Sequence, residues 1–335
     1  MKKVKAISLM SGGLDSILAT RLMLEQGIEI EAVNFLTVFC TCTSRGKTCL
    51  ASKSAADNLG IKLKVFEISK EYFQIIKNPK HGYGSNMNPC LDCRILIFKK
   101  AAEYMRQTGA SFLITGEVLG ERPMSQRRDA LRIIERDSGL EGLILRPLSA
   151  KLFEPTIAEK EGLVDREKLL SIKGRSRKPQ IQLAKDFGIN DYPCPAGGCL
   201  LTDPGFAARI RDLIKHKPDF NINDVKLLKA GRHFRLTKTA KLVVGRNEKE
   251  NDILLALAND DDLCFHPVNT TGPTAIGRGE FDRGVISLAA SIVARYSDTV
   301  SGGQIEIAHK DYSGKVISKI APPLAQEALL DSLRI

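Results

Sequence analysis

Two adjacent glycines followed by an acidic residue form the stretch of the chain with the clearest chemistry, Ser11–Ser16. An apolar run that ends at Met10 precedes it, and a helical pattern from Ser16 to about Gln26 follows. Glycines let backbone amides approach an oxyanion, and a helix N-terminus adds partial positive charge. The pattern predicts a phosphate-binding loop made by Ser11, Gly12, Gly13, Asp15 and Ser16. Because the lysine of a Gly-x-x-x-x-Gly-Lys-Ser/Thr loop is absent, a γ-phosphate transferase of that type is disfavoured.

Two pairs of cysteines supply the second kind of reactive group. Cys90 and Cys93 stand one helical turn apart at the start of a predicted helix, so both thiols lie on one face. At a helix N-terminus both thiols are expected to have lowered pKa values, which suits ligation and sulfur transfer. Cys194 and Cys199 lie in a loop rich in Gly and Pro near residues 190–202. Because the N-terminus does not read as a signal peptide, the cysteines indicate metal, cluster or thiol chemistry rather than disulfides.

The other four cysteines carry a weaker signal. Cys40, Cys42 and Cys49 follow the second predicted strand, where the nucleotide is expected, and no fourth ligand is evident. We interpret them as structural or accessory thiols, with a second metal site as the alternative. Cys264 is interpreted as a small core residue.

The charge of the chain is unevenly distributed. The net charge is +11, and almost all of the basic excess precedes residue 216. This asymmetry favours a polyanionic partner such as nucleic acid, and ordinary solubility charge is the alternative. The candidate RNA-binding residues in this part are Lys173, Arg175, Arg177 and Lys178.

Strands that alternate with helices up to Thr115 predict an α/β fold with a doubly wound, mostly parallel sheet. Residues 151–191 read as helical and basic. A Pro- and Asn-containing linker and the change in charge place the domain boundary near 216, which gives domains 1–215 and 216–335. The second domain is expected to be a smaller α+β module. No apolar stretch is long enough to span a membrane, so we expect a cytoplasmic protein.

The first domain resembles the PP-loop ATP pyrophosphatases, whose Ser-Gly-Gly-x-Asp-Ser signature is present at Ser11–Ser16. The resemblance implies a Rossmann-like fold, ATP with Mg²⁺ as cofactors, and adenylation of a substrate with release of pyrophosphate. Thr115-Gly116-Glu117, Met124-Ser125-Gln126 and Arg146-Pro147-Leu148 also resemble family segments. The resemblance adds Phe35, Gly116 and Gln126 to the expected ATP-binding residues.

Asn-Pro-Cys-x-x-Cys at Cys90 and Cys93, with distant further cysteines, resembles the tRNA thiouridine synthetases of that family. One branch implies a 4Fe–4S cluster held by Cys90, Cys93 and one of Cys194 or Cys199. The remaining thiol would be a fourth ligand, a persulfide carrier or neither. A branch without a cluster uses a persulfide, and two such pairs also fit tetrahedral zinc. The implied catalytic residues are Asp15, Cys90, Cys194 and Cys199.

Residues 230–320 resemble the RNA-binding domain of the NFACT proteins, chiefly through Val-Gly-Arg-Asn at Arg246. A tryptophan usual there is replaced by Cys264, and the chain contains no tryptophan. Together the resemblances imply ATP-dependent tRNA thiolation to 4-thiouridine or 2-thiouridine. The expected partners are tRNA and a sulfur donor, either a cysteine desulfurase or sulfide, and a homodimer is a further expectation. The alternatives are a PP-loop ligase or amidating enzyme acting on a small molecule, and an RNA-binding protein gated by ATP.

Overall fold

The computed structural model describes residues 4–40, 48–192, 199–300, 304–311 and 315–335, with the backbone alone for 48–50. The chain folds into two compact units, Met1–Thr202 and Asp203–Ile335. The boundary expected near residue 216 therefore coincides with the end of a helix that belongs to the second unit. This helix is held there because Arg209 donates to the Leu228 carbonyl at 2.8 Å and Arg235 binds Asp212.

The first unit contains a five-stranded parallel sheet in the order β3-β2-β1-β4-β5, which confirms the predicted fold class. The strands are β1 (Lys5–Leu9), β2 (Glu29–Leu36), β3 (Lys62–Glu67), β4 (Phe112–Thr115) and β5 (Ile144–Leu145). The helices are α1 (Leu14–Glu25), α2 (Thr48–Asn58), α3 (Ser69–Lys77), α4 (Cys90–Thr108), α5 (Arg128–Ser138), α6 (Ile157–Lys160) and α7 (Lys178–Asp186).

Alternate residues of the central strands pack against helices on opposite faces of this sheet. Ala6 and Ile114 lie in a core with α1 and α7, whereas Ile7 and Leu113 lie in a core with α4 and α5. Strand order reverses between β1 and β4, so the loops that follow these strands meet at a topological switch point. Ligands of such sheets bind in the crevice formed there.

Residues 151–191 contain much less helix than the sequence pattern indicated. Only α6, α7 and the short 3₁₀ helix Arg166–Lys168 form after the 3₁₀ turn Ala150–Leu152. The rest is irregular chain that follows the sheet, anchored where Gly174 donates to the Leu119 carbonyl at 2.7 Å. Tertiary contacts have overridden local helical propensity in this segment.

The second unit is built on a six-stranded antiparallel sheet in the order β11-β10-β8-β9-β7-β6, as expected for an α+β module. Its strands are β6 (Arg232–Arg235), β7 (Lys241–Val244), β8 (Leu263–Pro267), β9 (Ala275–Arg278), β10 (Ile307–Lys310) and β11 (Val316–Ile320). Its helices are α8 (Pro204–His216), α9 (Ile222–Leu227), α10 (Glu248–Leu257), α11 (Arg283–Arg295) and α12 (Glu327–Leu333). Cys264 packs beside Leu254 and Ile276 in a small core, as the sequence indicated.

Within the described ranges, none of the helices combines the length and the apolar character needed to cross a bilayer.

Candidate active site

The loop after β1 is shaped by a glycine that no other residue can replace without a shift. Gly12 has φ +79°, and a Cβ there would lie 2.6 Å from the backbone of Ala51 and Ser52 in α2. Gly13 is the N-cap of α1 and, among the described side chains, none caps its first turn. The amides at the start of α1 are therefore left to a ligand, as a phosphate-binding loop requires.

The end of β4 packs directly against this loop. A Cβ on Gly116 would lie 2.5 Å from the carbonyl carbon of Asp15, so the two backbones touch. The hydroxyls of Ser11 and Ser16 are hydrogen-bonded to each other across the loop at 3.2 Å. The predicted phosphate loop and Gly116 thus converge at the switch point of the sheet.

Two other predicted ATP-binding residues have different surroundings. Phe35 stacks on Phe66 with ring centroids 5.3 Å apart, in the core on the α4 face of the sheet. Gln126 accepts a hydrogen bond from the Arg122 amide at 3.1 Å and shapes the turn after β4. Asn34, the neighbour of Phe35, instead donates to the Met10 carbonyl at 2.6 Å and supports the start of the loop.

Charged side chains gather around Asp15 at the mouth of the loop. An Asp15 oxygen lies 3.7 Å from the Arg177 guanidinium, and Glu121 lies within electrostatic range of both. Burial raises the pKa of Asp15, while Arg177 and Arg122 oppose that rise. Burial and the charge of Asp15 also raise the pKa of Glu121. Two carboxylates that disfavour each other's ionisation are suited to a shared cation.

Several polar atoms of this cluster are buried without a hydrogen-bond partner among the described residues. They are Asp15 Oδ1, Glu121 Oε2, Arg177 Nε and both amide atoms of Gln180. The Gln180 amide faces Asp15 without a hydrogen bond of standard geometry. Native proteins leave few such groups unpaired, so their concentration here indicates a polar ligand.

Arg177 was predicted from the sequence to bind RNA, but its side chain lies against Asp15 of the predicted phosphate loop. Arg177 reaches the predicted phosphate loop, called the nucleotide loop below, because the preceding segment runs beside the chain after β4. Lys173 forms a parallel β-bridge with Leu119 there. Lys173, Arg175 and Lys178 are exposed. In the second unit, half-exposed Arg246 forms a bidentate ion pair with Glu250.

The thiols form a second cluster at the N-terminus of α4. Cys90 and Cys93 occupy its first turn, and the chain after the second cysteine loop brings Cys199 to them. Leu200 donates to the Phe39 carbonyl at 3.2 Å, and the next residue, Cys40, lies within electrostatic range of Cys93 and Cys199. Sequence reasoning gave Cys40 an accessory role. Cys194 and the side chains of Cys42 and Cys49 lie outside the described residues.

Burial, not the helix terminus, dominates the acidity of these thiols. It raises the pKa of Cys90, that of Cys93 to about 11 and that of Cys199 to about 12, with Arg94 opposing the rise at Cys90 and Cys93. The expectation of lowered values was wrong, because desolvation of the thiolate outweighs the helix dipole. Buried Tyr72, which sequence reasoning missed, donates a hydrogen bond to Cys93.

The described thiols face one another but do not form a closed metal site. Over the described ranges, no three or more His, Cys, Asp or Glu side chains are arranged to hold a metal ion. Their chemistry nonetheless fits soft metals and clusters, which thiolates prefer.

A buried ion network joins the two clusters. Glu117, directly after Gly116, has a side chain only 1% exposed and accepts from Arg94 on α4 and from Arg146 after β5. Arg94 is next to Cys93 in the chain. Arg122 lowers the pKa of Asp15 and also that of Cys90, so its charge lies near both groups. The nucleotide loop and the thiols therefore open at the same end of the sheet.

Comparisons with known proteins agree with the two-unit organisation. Residues 2–156 match the family model described as Thiamine biosynthesis protein (ThiI), and residues 231–332 match NFACT protein RNA binding domain. These matches confirm the PP-loop synthetase-type domain and the NFACT-type domain inferred from the motifs.

Curated relatives match part of the chain. A tRNA-specific 2-thiouridylase MnmA from Pelobacter propionicus is 32% identical over 111 residues, covering 32% of this chain and 31% of that protein. A probable tRNA sulfurtransferase from Methanosarcina mazei is 31% identical over 123 residues, covering 35% and 29%. The chain thus aligns with about a third of the length of these relatives.

Among solved structures, the U34-tRNA thiolase NcsA from Methanococcus maripaludis with its [4Fe-4S] cluster is 17% identical, with a TM-score of 0.34. That alignment covers 68% of this chain and 72% of the thiolase.

Proposed function

We propose that this protein is an ATP-dependent tRNA sulfurtransferase that replaces a uridine carbonyl oxygen with sulfur. The observation that carries the proposal is the end of β4, where Gly116 packs against Asp15 and Glu117 pairs with Arg94, the chain neighbour of Cys93. Activation by a nucleotide and delivery of sulfur must occur at the same carbon. A single crevice that contains both the loop and the thiols meets this requirement.

The nucleotide half of the site is supported by its unpaired polar atoms. The amides of Gly12 and Gly13 and the start of α1 bind phosphate oxygens. Asp15 and Glu121 would hold the Mg²⁺ that accompanies ATP, since hard cations prefer carboxylate oxygens and both carboxylates have an unpaired oxygen. Arg177 neutralises the charge that develops on the departing pyrophosphate.

The sulfur half is supported by the facing thiols. Cys90, Cys93 and Cys199 are the described ligands that would hold a 4Fe–4S cluster, with Cys194 as the further candidate from the sequence. When bound, such a cluster supplies a sulfide for transfer. Zinc at the same thiolates, and a persulfide on Cys194 or Cys199 without a cluster, are the alternatives that metal analysis separates. The Arg94 guanidinium stabilises negative charge at Cys90 and Cys93.

The chemistry proceeds in two displacements. The uridine carbonyl oxygen attacks the α-phosphorus of ATP, and the bond to the β-phosphate oxygen breaks to release pyrophosphate. Sulfide then attacks the adenylated carbon, and AMP departs with the original oxygen. If a cysteine persulfide attacks instead, a second cysteine thiolate breaks the S–S bond, which frees the thiolated base and leaves a disulfide. The base must leave its stack to enter the crevice, so the rest of the tRNA is held by Lys173, Arg175 and Lys178 and by the NFACT-type unit with Arg246.

The test is a thiolation assay on protein purified without oxygen. Protein, ATP, unmodified tRNA and sulfide, or cysteine with a cysteine desulfurase, are mixed, and thiouridine and pyrophosphate are measured by mass spectrometry and a coupled assay. We expect both products, dependent on tRNA, with loss of thiouridine in Cys90→Ser and normal yield in Cys264→Ser. Iron and sulfide counts separate a cluster from a persulfide.

Two results contradict the proposal. Pyrophosphate release that needs a small molecule but no RNA would indicate a ligase or amidating enzyme. Tight tRNA binding that responds to ATP without any pyrophosphate release would indicate a gated RNA-binding protein.

A further inference from the structure

A second polar cavity lies beside the edge strand β5, outside the crevice described above. Its volume is about 470 Å³, and it is bounded by the first turns of α5, by β5 and by residues 150–156. Five basic and three acidic side chains line it. Arg146, from one of the sequence motifs, lines this cavity. The proposed ATP-binding and sulfur-transfer steps do not use the cavity.

Arg146 is the buried donor at the base of the cavity. Its side chain is 4% exposed; Nε donates to Glu117 at 3.1 Å, and Nη1 donates to Glu135. Nη2 is buried and has no hydrogen-bond acceptor among the described residues. A buried guanidinium nitrogen without an acceptor is unfavourable unless a ligand supplies one.

The groups around Arg146 are held in place before any ligand binds. The Phe153 ring contacts two guanidinium groups, with Arg128 at 5.1 Å and Arg146 at 5.6 Å from its centroid. Arg128 also donates to the Leu152 carbonyl at 2.9 Å. Pre-positioned donors of this kind lose little side-chain entropy when an anion arrives.

The cations of the cavity exceed its available carboxylates. Glu135 is paired with Arg146 and Glu159 with Arg166, so Glu154 is the one carboxylate of the cavity without an ion pair among the described residues. Across the described ranges, Arg132 and Lys160 have no carboxylate partner. The N-terminus of α5, where Arg127 is the N-cap without a side-chain cap in the described structure, adds unpaired amides on the same side.

We propose that this cavity is a second anion site that binds a phosphate group, separate from the nucleotide loop. Arg146 Nη2 and Arg132 supply charged hydrogen-bond donors. The α5 amides and Lys160 add positive electrostatic potential. The phosphate belongs either to the RNA backbone or to a free phosphate ester, and the two sources share this chemistry. The site does not depend on the proposed function, because phosphate binding is measured by itself.

The experiment compares Arg132→Gln with Arg136→Gln, a matched change one turn along α5. Arg136 is exposed, pairs with Asp137 and does not line the cavity. Binding of inorganic phosphate is measured by calorimetry with the nucleotide loop saturated by α,β-methylene-ATP. We expect Arg132→Gln to weaken phosphate binding about tenfold and Arg136→Gln to leave it unchanged. Thermal melts verify that both variants fold.

A second arm identifies the source of the phosphate. Binding of tRNA is measured between low and high salt for the same three proteins. An RNA source predicts that Arg132→Gln reduces the slope of log K against log salt by about 1. Unchanged tRNA binding with weakened phosphate binding supports the site and assigns it to a free phosphate ester. Phosphate binding equal in the wild type and in Arg132→Gln overturns the proposal.

Discussion

Gly116→Ala tests whether the end of β4 positions the nucleotide loop. A methyl group at residue 116 would lie 2.5 Å from the carbonyl carbon of Asp15, whereas ordinary contact begins at 3.4 Å. The loop and the strand must therefore separate by about 1 Å. The backbone at Gly116 needs no positive φ, so the effect is purely steric.

A displacement of about 1 Å at a reacting group lowers a rate about 10²-fold, which corresponds to about 2.7 kcal/mol of barrier. We expect this loss in kcat/KM for tRNA-dependent pyrophosphate release. Overpacking of this kind also lowers the free energy of unfolding by about 1–3 kcal/mol, measured by denaturant titration.

Gly284→Ala is the matched control, because its added methyl would meet only Asp282 Oδ1 at an ordinary 3.4 Å. We expect it to leave the rate unchanged and to raise the free energy of unfolding by about 0.5–1 kcal/mol, because alanine is favoured over glycine in a helix. Wild-type pyrophosphate release by Gly116→Ala would refute the close packing of β4 on the loop.

Three further changes probe the clusters around the loop. Arg94→Met leaves buried Glu117 with only part of its compensation, so we expect a loss of about 3 kcal/mol in unfolding free energy, partly recovered when Glu117→Gln is added. If the denaturant titration of the double variant shows no such recovery of unfolding free energy, the network is contradicted. Burial raises the pKa of Asp15 above its ordinary 3.8, so the folded state binds this proton more tightly and loses stability as pH rises through that range. Asp15→Asn should therefore raise the melting temperature at pH 7 and abolish pyrophosphate release, with the thermal gain shrinking toward pH 4. An equal gain at both pH values would argue against burial as the cause. Cys40→Ser should reduce bound iron or thiouridine yield while Cys264→Ser does not, and equal values for both would support the accessory role predicted from the sequence.

Local sequence was sufficient to predict a glycine loop between a strand and a helix at Ser11–Ser16. Glycines between a strand and a helix permit the positive φ of Gly12 and its close approach to the α2 backbone, which other residues do not allow without strain. The same holds for the one-turn spacing of Cys90 and Cys93, which follows from helix geometry alone.

The acidity of the thiols could not be predicted in the same way. The helix N-terminus is visible in the sequence, but the burial of Cys93 depends on Tyr72 and on the chain around Cys199. Desolvation acts through neighbours that are distant in sequence. Whether its rise in thiol pKa exceeds the lowering by the helix dipole is therefore determined only when the chain folds.

The sequence by itself determined which functional groups this protein has: a glycine loop between a strand and a helix, paired thiols, a basic first domain and an NFACT-type module. Tertiary structure alone decided how they combine. Arg177 lies against Asp15, and Cys40 lies near Cys199, because irregular segments far apart in the chain dock at the ends of parallel strands. Such docking depends on long-range packing and leaves no periodic pattern in the sequence.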